Sequence, residues 1–376
     1  MLKHRRAAAG LPAHRFLRDH WQKKPLLLRN ALPASGAIAT PAALFELAAR
    51  DDMESRLVQR RGRGWHVRHG PFDPRELRRL PRSGWTLLVN GINHALPAAQ
   101  RLLDAFSFIP YARFDDVMAS YAPPGGGVGP HYDHYDVFLV QGEGRRRWRI
   151  SRQRDLALVA GAPLRILRRF RPTRDWVLGT GDLLYLPPRC AHDGIAVDSC
   201  ITYSVGFRAP QAQELASGFL DYLQDRVRLA GIYEDPGLEP ARHPARLDDN
   251  MVRAARKTLA RIRWSGAEVA RFLGCHLTEP KAHVVYPRPP RPLGARTFAA
   301  QASRRGLRLA LPTRMLFRGS TLFMNGESVD AGARAAGLLA RFADRRALPA
   351  GARLDAESAA LLHQWYRVGY IVLGDE

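Results

Sequence analysis

GPHYDHYDVFLVQGEGRRRWRI, residues 129–150, is the stretch on which the fold turns. DVFLVQ and RRRWRI each alternate as half-buried strands do, and the GEG between them is a turn, so the stretch reads as two short strands with a turn between them. Working outward, DDVMASYA, DLLYLP and CITYSVGF repeat the pattern, separated by PPGGGVGP, GTGD and PPRCAHDG. Turn-punctuated strands at this spacing predict an all-β sandwich or barrel from about residue 111 to 208.

The same stretch places His131 and Asp133 two residues apart where a strand is expected to begin, which would put both on one face. His192 follows the strand LLYLP and the Pro187-Pro188 bend, and a barrel could bring it beside them. Two imidazoles and one carboxylate make the facial triad of non-haem Fe(II) oxygenases, with positions left open for a co-substrate and for dioxygen. An HxD pair alone is a weak signal. His134, Asp136 and Asp193 compete by proximity, but a regular strand points His134 and Asp136 to the opposite face.

In the next strand Arg145, Arg147 and Arg149 share the natural solvent face, which leaves Arg146 inside with Trp148 and Ile150. An unpaired guanidinium there would cost several kcal/mol. It needs either an internal Asp or Glu, or the distal carboxylate of a metal-chelating diacid such as 2-oxoglutarate. Thr202, Ser204 and Gly206 share a face of the last strand, so Thr202 is a candidate co-substrate contact unless that face is the outside of an edge strand. Gly125, Gly126 and Gly127 lack the Lys-Ser or Lys-Thr of a phosphate loop and suit a tight turn into the metal strand. Asp115 and Asp116 could meet a cationic substrate side chain or be ordinary surface carboxylates.

The 376 residues carry a formal charge of +23, and only five of the 58 basic residues are Lys. Such a charge points to nucleic acid or another anionic partner, while the arginine skew is also what genome base composition produces. With three scattered cysteines, Cys190, Cys200 and Cys275, the chain has no disulfide framework and suits a reducing compartment. No signal-peptide core and no long apolar run appears, so a soluble, cytoplasmic protein without membrane contact is expected.

Residues 1 to about 100 mix short helical patterns with Pro- and Gly-rich loops. After Pro210 the period becomes helical, with a second basic helix over about 249–264. YPRPPRPLG, residues 286–294, reads as a stiff boundary. Beyond it, RGLRLAL, MLFRG and TLFMN suggest strands, Asn325-Gly326 a hairpin turn, and 330–344 and 356–368 helices.

FLRDHWQKKPLLLRNAL, YAPPGGGVGPHYDHYDVFLVQGEGRRRWRI and LLYLPPRCAHDGIAV followed by TYSVGFRAP resemble the bacterial JmjC-type ribosomal oxygenases of the cupin superfamily, the 2-oxoglutarate-dependent arginine hydroxylases of large-subunit ribosomal protein L-sixteen. The resemblance implies an α+β multidomain chain. Its parts would be a double-stranded β-helix JmjC/cupin domain with N-terminal elements (1–208), a helical dimerisation region (209–285) and a small winged-helix-like domain (286–376). It also implies Fe(II) on His131, Asp133 and His192, with Arg146 on the distal carboxylate of 2-oxoglutarate. Ala122 and Thr202 stand where relatives can have a hydroxyl residue and an amide. The implied reaction consumes dioxygen and 2-oxoglutarate and hydroxylates the β-carbon of an arginine in a ribosomal protein, in a homodimer. The like charge of a basic substrate calls either for a local acidic pocket or for a target met in association with ribosomal RNA. The residues leave open a related oxygenase acting on a histidine or another protein, and a catalytically silent cupin regulator that binds nucleic acid.

Overall fold

The computed structural model describes residues 12–62 and 64–374. Eleven strands build the N-terminal half: β1 (Leu26–Leu28), β2 (Ser55–Arg61), β3 (Gly64–His69), β4 (Trp85–Val89), β5 (Phe114–Ala122), β6 (Asp136–Glu143), β7 (Arg146–Ser151), β8 (Arg174–Leu178), β9 (Leu183–Leu186), β10 (Ala191–Ala196) and β11 (Cys200–Phe207). Eight form one sheet in the order β1-β9-β6-β11-β5-β4-β2-β3, and β10-β7-β8 form a second that faces it. Every pairing is antiparallel.

The alternation read from the sequence decides which core each side chain joins. In β6, Val137 and Leu139 enter the core between the sheets with Trp148, Ile150, Leu178, Leu184 and Leu186. Phe138 and Val140 point the other way, into the core that the large sheet shares with Phe16, Phe45 and Phe106. In β11, Ile201, Tyr203, Val205 and Phe207 join that outer core. Strand β11 is central, flanked by β5 and β6, so its hydroxyl face is not the outside of an edge strand.

Three expectations are corrected. The N-terminal hundred residues supply β1 to β4 as well as helices, and β2, β3 and β4 extend the large sheet at one edge. AHDGIA is a strand, β10, paired with β7, where the sequence suggested a turn. The HxD pair precedes its strand instead of opening it: β6 starts at Asp136, and His131 makes only an isolated bridge to His192.

The rest of the chain follows the helical and hairpin signals closely. Helices Ala212–Gln224 and Asp249–Leu259 lie in the central region. The C-terminal unit holds β12 (Leu307–Leu309), β13 (Met315–Arg318), β14 (Thr321–Met324), β15 (Glu327–Asp330), β16 (Ala347–Leu348) and β17 (Ile371–Leu373). Asn325 and Gly326 turn β14 into β15 with φ of 50° and 91°, as a two-residue hairpin loop requires. Helices Ala295–Arg305, Ala333–Arg345 and Ala356–Arg367 give this unit its own core around Phe298, Leu339 and Phe342. The helix Gly266–Thr278 lies before residue 286 yet packs on β13, β14 and β15. Its Gly274 sits so close to the Phe323 ring that a Cβ would fall 2.3 Å from it.

Ion pairs tie this unit to the barrel. Lys281 Nζ lies 3.0 Å from Asp116 Oδ2 and 3.6 Å from Asp115 Oδ1, and Arg208 and Arg314 also face Asp115. Asp115 and Asp116 are therefore neither free surface carboxylates nor lining of the cavity described next.

Candidate metal and co-substrate site

Between the two sheets lies a cavity of about 280 Å³ whose lining includes His131, Asp133 and His192 at one end and Arg146 and Ser120 at the other. The three metal candidates present ligand atoms that all lie within 4.8 Å of one another. Reciprocal backbone hydrogen bonds hold the two histidines side by side: His131 N donates to His192 O at 2.9 Å, and His192 N to His131 O at 2.8 Å. Asp133 is fixed through its carbonyl, which accepts from Arg189 N at 2.7 Å.

Each imidazole has its tautomer set from behind. Carbonyl oxygens of Gly129 and Cys190 lie 2.8 and 2.9 Å from Nδ1 of His131 and His192, so each Nδ1 donates there and Nε2 is left as the ligand atom. The Nε2 of His192 comes to 3.6 Å from Asp133 Oδ2. Burial, helped by neighbouring His131, pushes the His192 pKa down to about 4, so this imidazole is neutral at physiological pH, as a metal ligand must be. The approach to His131 demands glycine at Gly129: its φ is +83°, and a Cβ would lie 2.6 Å from the Trp65 ring.

The rival ligands are engaged elsewhere. Asp136 is fully buried on the far side of the sheet, where it accepts from Tyr185 Oη at 2.6 Å and from Gln22 Nε2 at 2.9 Å. Asp193 pairs with Arg149, and His134 Nε2 lies 3.0 Å from Arg165 Nη2. The regular inside-outside reading of β7 holds: Arg145, Arg147 and Arg149 pair on the outer face with Asp198, Asp175 and Asp193.

Arg146 is only 3% exposed, and one hydrogen bond serves its guanidinium, from Nη1 to Ser120 Oγ at 3.0 Å. Its Nε and Nη2 have no partner. Among the described residues no Asp or Glu offsets the charge; the guanidinium instead lies 5.9 Å from the Trp148 ring centroid, a cation–π contact that leaves the donors free. Trp148 in turn lies 5.8 Å from the His192 ring, so one indole spans from the charged end of the cavity to the metal end. Gly194, paired with Trp148 across the strands, makes room for it, since a Cβ there would lie 2.6 Å from the indole.

Thr202 is placed differently from its expected role. Although it shares a face with Ser204, its hydroxyl donates to Gln141 Oε1 at 2.9 Å in the buried floor, and it does not line the cavity. Ser120 and Ser204 do. Ser120 was legible in principle, since Met118 and Ser120 alternate inward along DDVMASYA. Ala122 packs with Ala196 and Cys200, away from the cavity. The mouth is covered by a long hairpin between β7 and β8, which contributes Leu164, Arg165 and Ile166 and which the sequence did not disclose.

Two imidazoles and a carboxylate fit a ferrous ion, and a buried cation with free donors fits the far carboxylate of a chelating diacid. Comparison with known proteins points the same way. A JmjC domain family matches residues 101–215 and a ROXA-like winged helix family residues 261–371. The chain is 35% identical over 319 residues to the ribosomal protein uL16 3-hydroxylase of Escherichia coli (strain K12), covering 84% of each. Its fold is similar to that of YcfD, a ribosomal oxygenase from Escherichia coli, solved with cobalt and 2-oxoglutarate: TM-score 0.83, 32% identity, 98% of this chain and 99% of that one. The same oxygenase with cobalt and succinic acid gives 0.81 and 33%, with the same coverage. With a JmjC barrel, a ROXA-like winged helix and this degree of identity along most of its length, the chain belongs to the JmjC ribosomal oxygenases, which work with Fe(II), 2-oxoglutarate and dioxygen.

Proposed function

We propose that this protein is an Fe(II)- and 2-oxoglutarate-dependent hydroxylase of a large-subunit ribosomal protein, uL16, acting on the β-carbon of an arginine. The observation that carries the reading is the Arg146 guanidinium, buried with two idle donors in the same cavity as His131, Asp133 and His192. His131, Asp133 and His192 would hold the metal, and Arg146 the distal carboxylate. When bound, ferrous iron supplies the dioxygen chemistry that couples oxidative decarboxylation of 2-oxoglutarate, to succinate and CO2, to insertion of the second oxygen atom into a C–H bond.

The chain's own residues bind, orient and exclude water. His131 and His192 present Nε2 as the ligand atom, because the Nδ1 of each faces a backbone carbonyl. Arg146 and Ser120 fix one end of the diacid, which sets the direction of its other end toward the metal ligands. Val137, Leu139 and Trp148 line the path between and keep it dry, which strengthens the guanidinium's grip on a carboxylate. Among the described residues no helix is long and apolar enough to cross a membrane, and ribosomal substrates suit a cytoplasmic enzyme.

A homodimer built through the central region belongs to the same proposal. Leu220, Ile232, Leu238, Leu247, Leu259 and Trp264 are all more than half exposed in the single chain, and helix Asp249–Leu259 buries no residue. Apolar exposure of this extent supports a protein partner. Leu220→Glu with Leu259→Glu should give a monomer by sedimentation, and an unchanged sedimentation coefficient would refute the assignment. The catalytic reading is tested by mass spectrometry of ribosomal proteins from cells with and without the gene. One oxygen should disappear from an arginine of uL16 in the deleted strain; an unchanged uL16 would refute the substrate.

A further inference from the structure

The hairpin over the cavity mouth, residues 152–173, is more basic than the chain around it. Six of its 22 residues are arginine, against 53 in all 376, about twice the density of the whole chain. Asp155 is the single acid in those 22, and it accepts from the hairpin's own Ala157 N at 3.1 Å. The folding of the hairpin gathers these charges. Val159 N donates to Ile166 O and Arg168 N to Ala157 O, pairing the two arms, and the Gln153 side chain bonds both Arg169 O and Arg171 N. Arg152 and Arg154 on one arm thus stand beside Arg168, Arg169 and Arg171 on the other, all five exposed. Among the described residues none of the five is in an ion pair, whereas the neighbouring Arg145, Arg147 and Arg149 each have an aspartate.

The position of this ridge sets a problem and suggests its answer. Ile166 and Leu164 from the hairpin line the cavity, and Leu167 N donates to Pro130 O beside His131, so the charges crown the entrance the substrate must use. Ribosomal proteins are generally cationic, and like charge at the mouth would slow their encounter. A polyanion lying between the two basic surfaces reverses the sign. The central region is also basic, but there Glu234, Asp235, Glu239, Asp248 and Asp249 interleave with the arginines and large apolar side chains are exposed, which suits a protein partner.

Resting on the reading of the substrate as a ribosomal protein, we infer that the β7–β8 hairpin is an RNA-backbone binding surface, which seats the enzyme on its target while that target is associated with RNA. Planar guanidinium forks match phosphate oxygens, and no base-reading motif accompanies them, so the contact is to the backbone and independent of sequence.

The test uses full-length protein and a fluorescently labelled single-stranded RNA of about 20 nucleotides, titrated by anisotropy over a range of salt. Two variants of equal charge change are compared with native protein. One carries Arg154, Arg168, Arg169 and Arg171→Gln on the hairpin; the other carries Arg334, Arg341, Arg345 and Arg353→Gln on the C-terminal unit, the rival site. The hairpin variant should bind about tenfold or more weakly, with a salt slope reduced by up to about 0.7 per lost phosphate contact, and the C-terminal variant should bind like native. Equal losses in both variants, a larger loss in the C-terminal one, or no binding by native protein overturns the inference. So does hairpin-dependent binding to phosphatidylserine vesicles with none to RNA. Succinate release with a free uL16 peptide is followed in parallel and should be no lower for the hairpin variant than for native protein, since removing like charge at the mouth does not hinder a cationic peptide. Native protein that ignores the peptide would overturn the substrate reading separately, while the RNA titration still reports on the hairpin.

Discussion

Replacing Arg146 with Met should move co-substrate affinity and metal-free stability in opposite directions. In the folded chain the guanidinium is almost wholly buried, with one hydrogen bond to Ser120 and two idle donors. If the two idle donors grip a carboxylate, each charge-assisted bond contributes about 1.5–3 kcal/mol, so losing both weakens 2-oxoglutarate by about 3–6 kcal/mol, or roughly 10² to 10⁴ in Kd. In the metal-free protein the same charge is a liability, since an unpaired buried ion costs several kcal/mol and a methionine of similar length costs none of that. Leaving Ser120 without its partner returns about 1 kcal/mol. The variant should therefore melt at the same or a higher temperature than native protein while hardly binding 2-oxoglutarate. Calorimetric titration of 2-oxoglutarate into anaerobic Fe(II)-loaded protein gives the affinity, and scanning fluorimetry of metal-free protein gives the stability. Unchanged affinity would refute the anchor; lowered affinity with a much lower melting temperature would show Arg146 to be a structural cation instead. Arg146→Lys should fall between native and Met, because an ammonium keeps the charge and loses the fork.

Asp133→Ala should abolish both Fe(II) binding and succinate production with little change in fold; retained turnover would remove the metal assignment. Gly194→Ala places a Cβ 2.6 Å from the Trp148 ring, so it should lower stability by about 1–3 kcal/mol and raise the KM for 2-oxoglutarate, and Trp148→Leu in the same chain should restore the melting temperature. A double variant no more stable than Gly194→Ala alone would show that the clash lies elsewhere. Burial, with the nearby Arg314 and Lys281, holds the His94 pKa down to about 3. The unfolded chain, near 6.5 at this position, then binds more protons between those two values, so stability falls as pH drops from about 6.5 toward 3. His94→Asn should flatten that slope in urea titrations, and an identical slope would contradict it.

What the sequence disclosed, and what it hid, divides along a physical line. Inside and outside were legible wherever a strand alternates: RRRWRI left Arg146 buried and its three neighbours paired on the surface, and CITYSVGF put Ser204 in the cavity. Which inward residue opens to the cavity was not legible, because it depends on the strand pairing. Thr202 lies opposite Ser120, which lines the cavity, and Gln141, and only that pairing shows that its hydroxyl is spent on Gln141. Element boundaries failed where the residues carry function. AHDGIA has a histidine, an aspartate and a glycine where a strand normally shows β-branched side chains, since His192 stands in the cavity beside His131 and Asp133, Asp193 pairs with Arg149, and Gly194 must admit Trp148. The HxD pair lies outside its strand because two backbone bonds to His192, not a ladder, fix His131.

The exposed arginines of the β7–β8 hairpin and the buried one of β7 belong to a single run of sequence, yet they call for different partners. Arg146 is enclosed by Trp148, Ser120 and the metal end of the cavity, so its counter-charge has to be small enough to enter about 280 Å³ and reach the ligands. The hairpin arginines are open to water and spread over two arms, so screening makes any single contact weak and only a repeating anion gathers them into appreciable affinity. Burial, more than charge, thus separates a site for one diacid from a surface for a polymer. On the proposed function this is how a chain of +23 would act on basic proteins: the charge that repels the substrate sits outside the cavity, where an RNA strand would cover it, and the charge within would be taken up by the co-substrate.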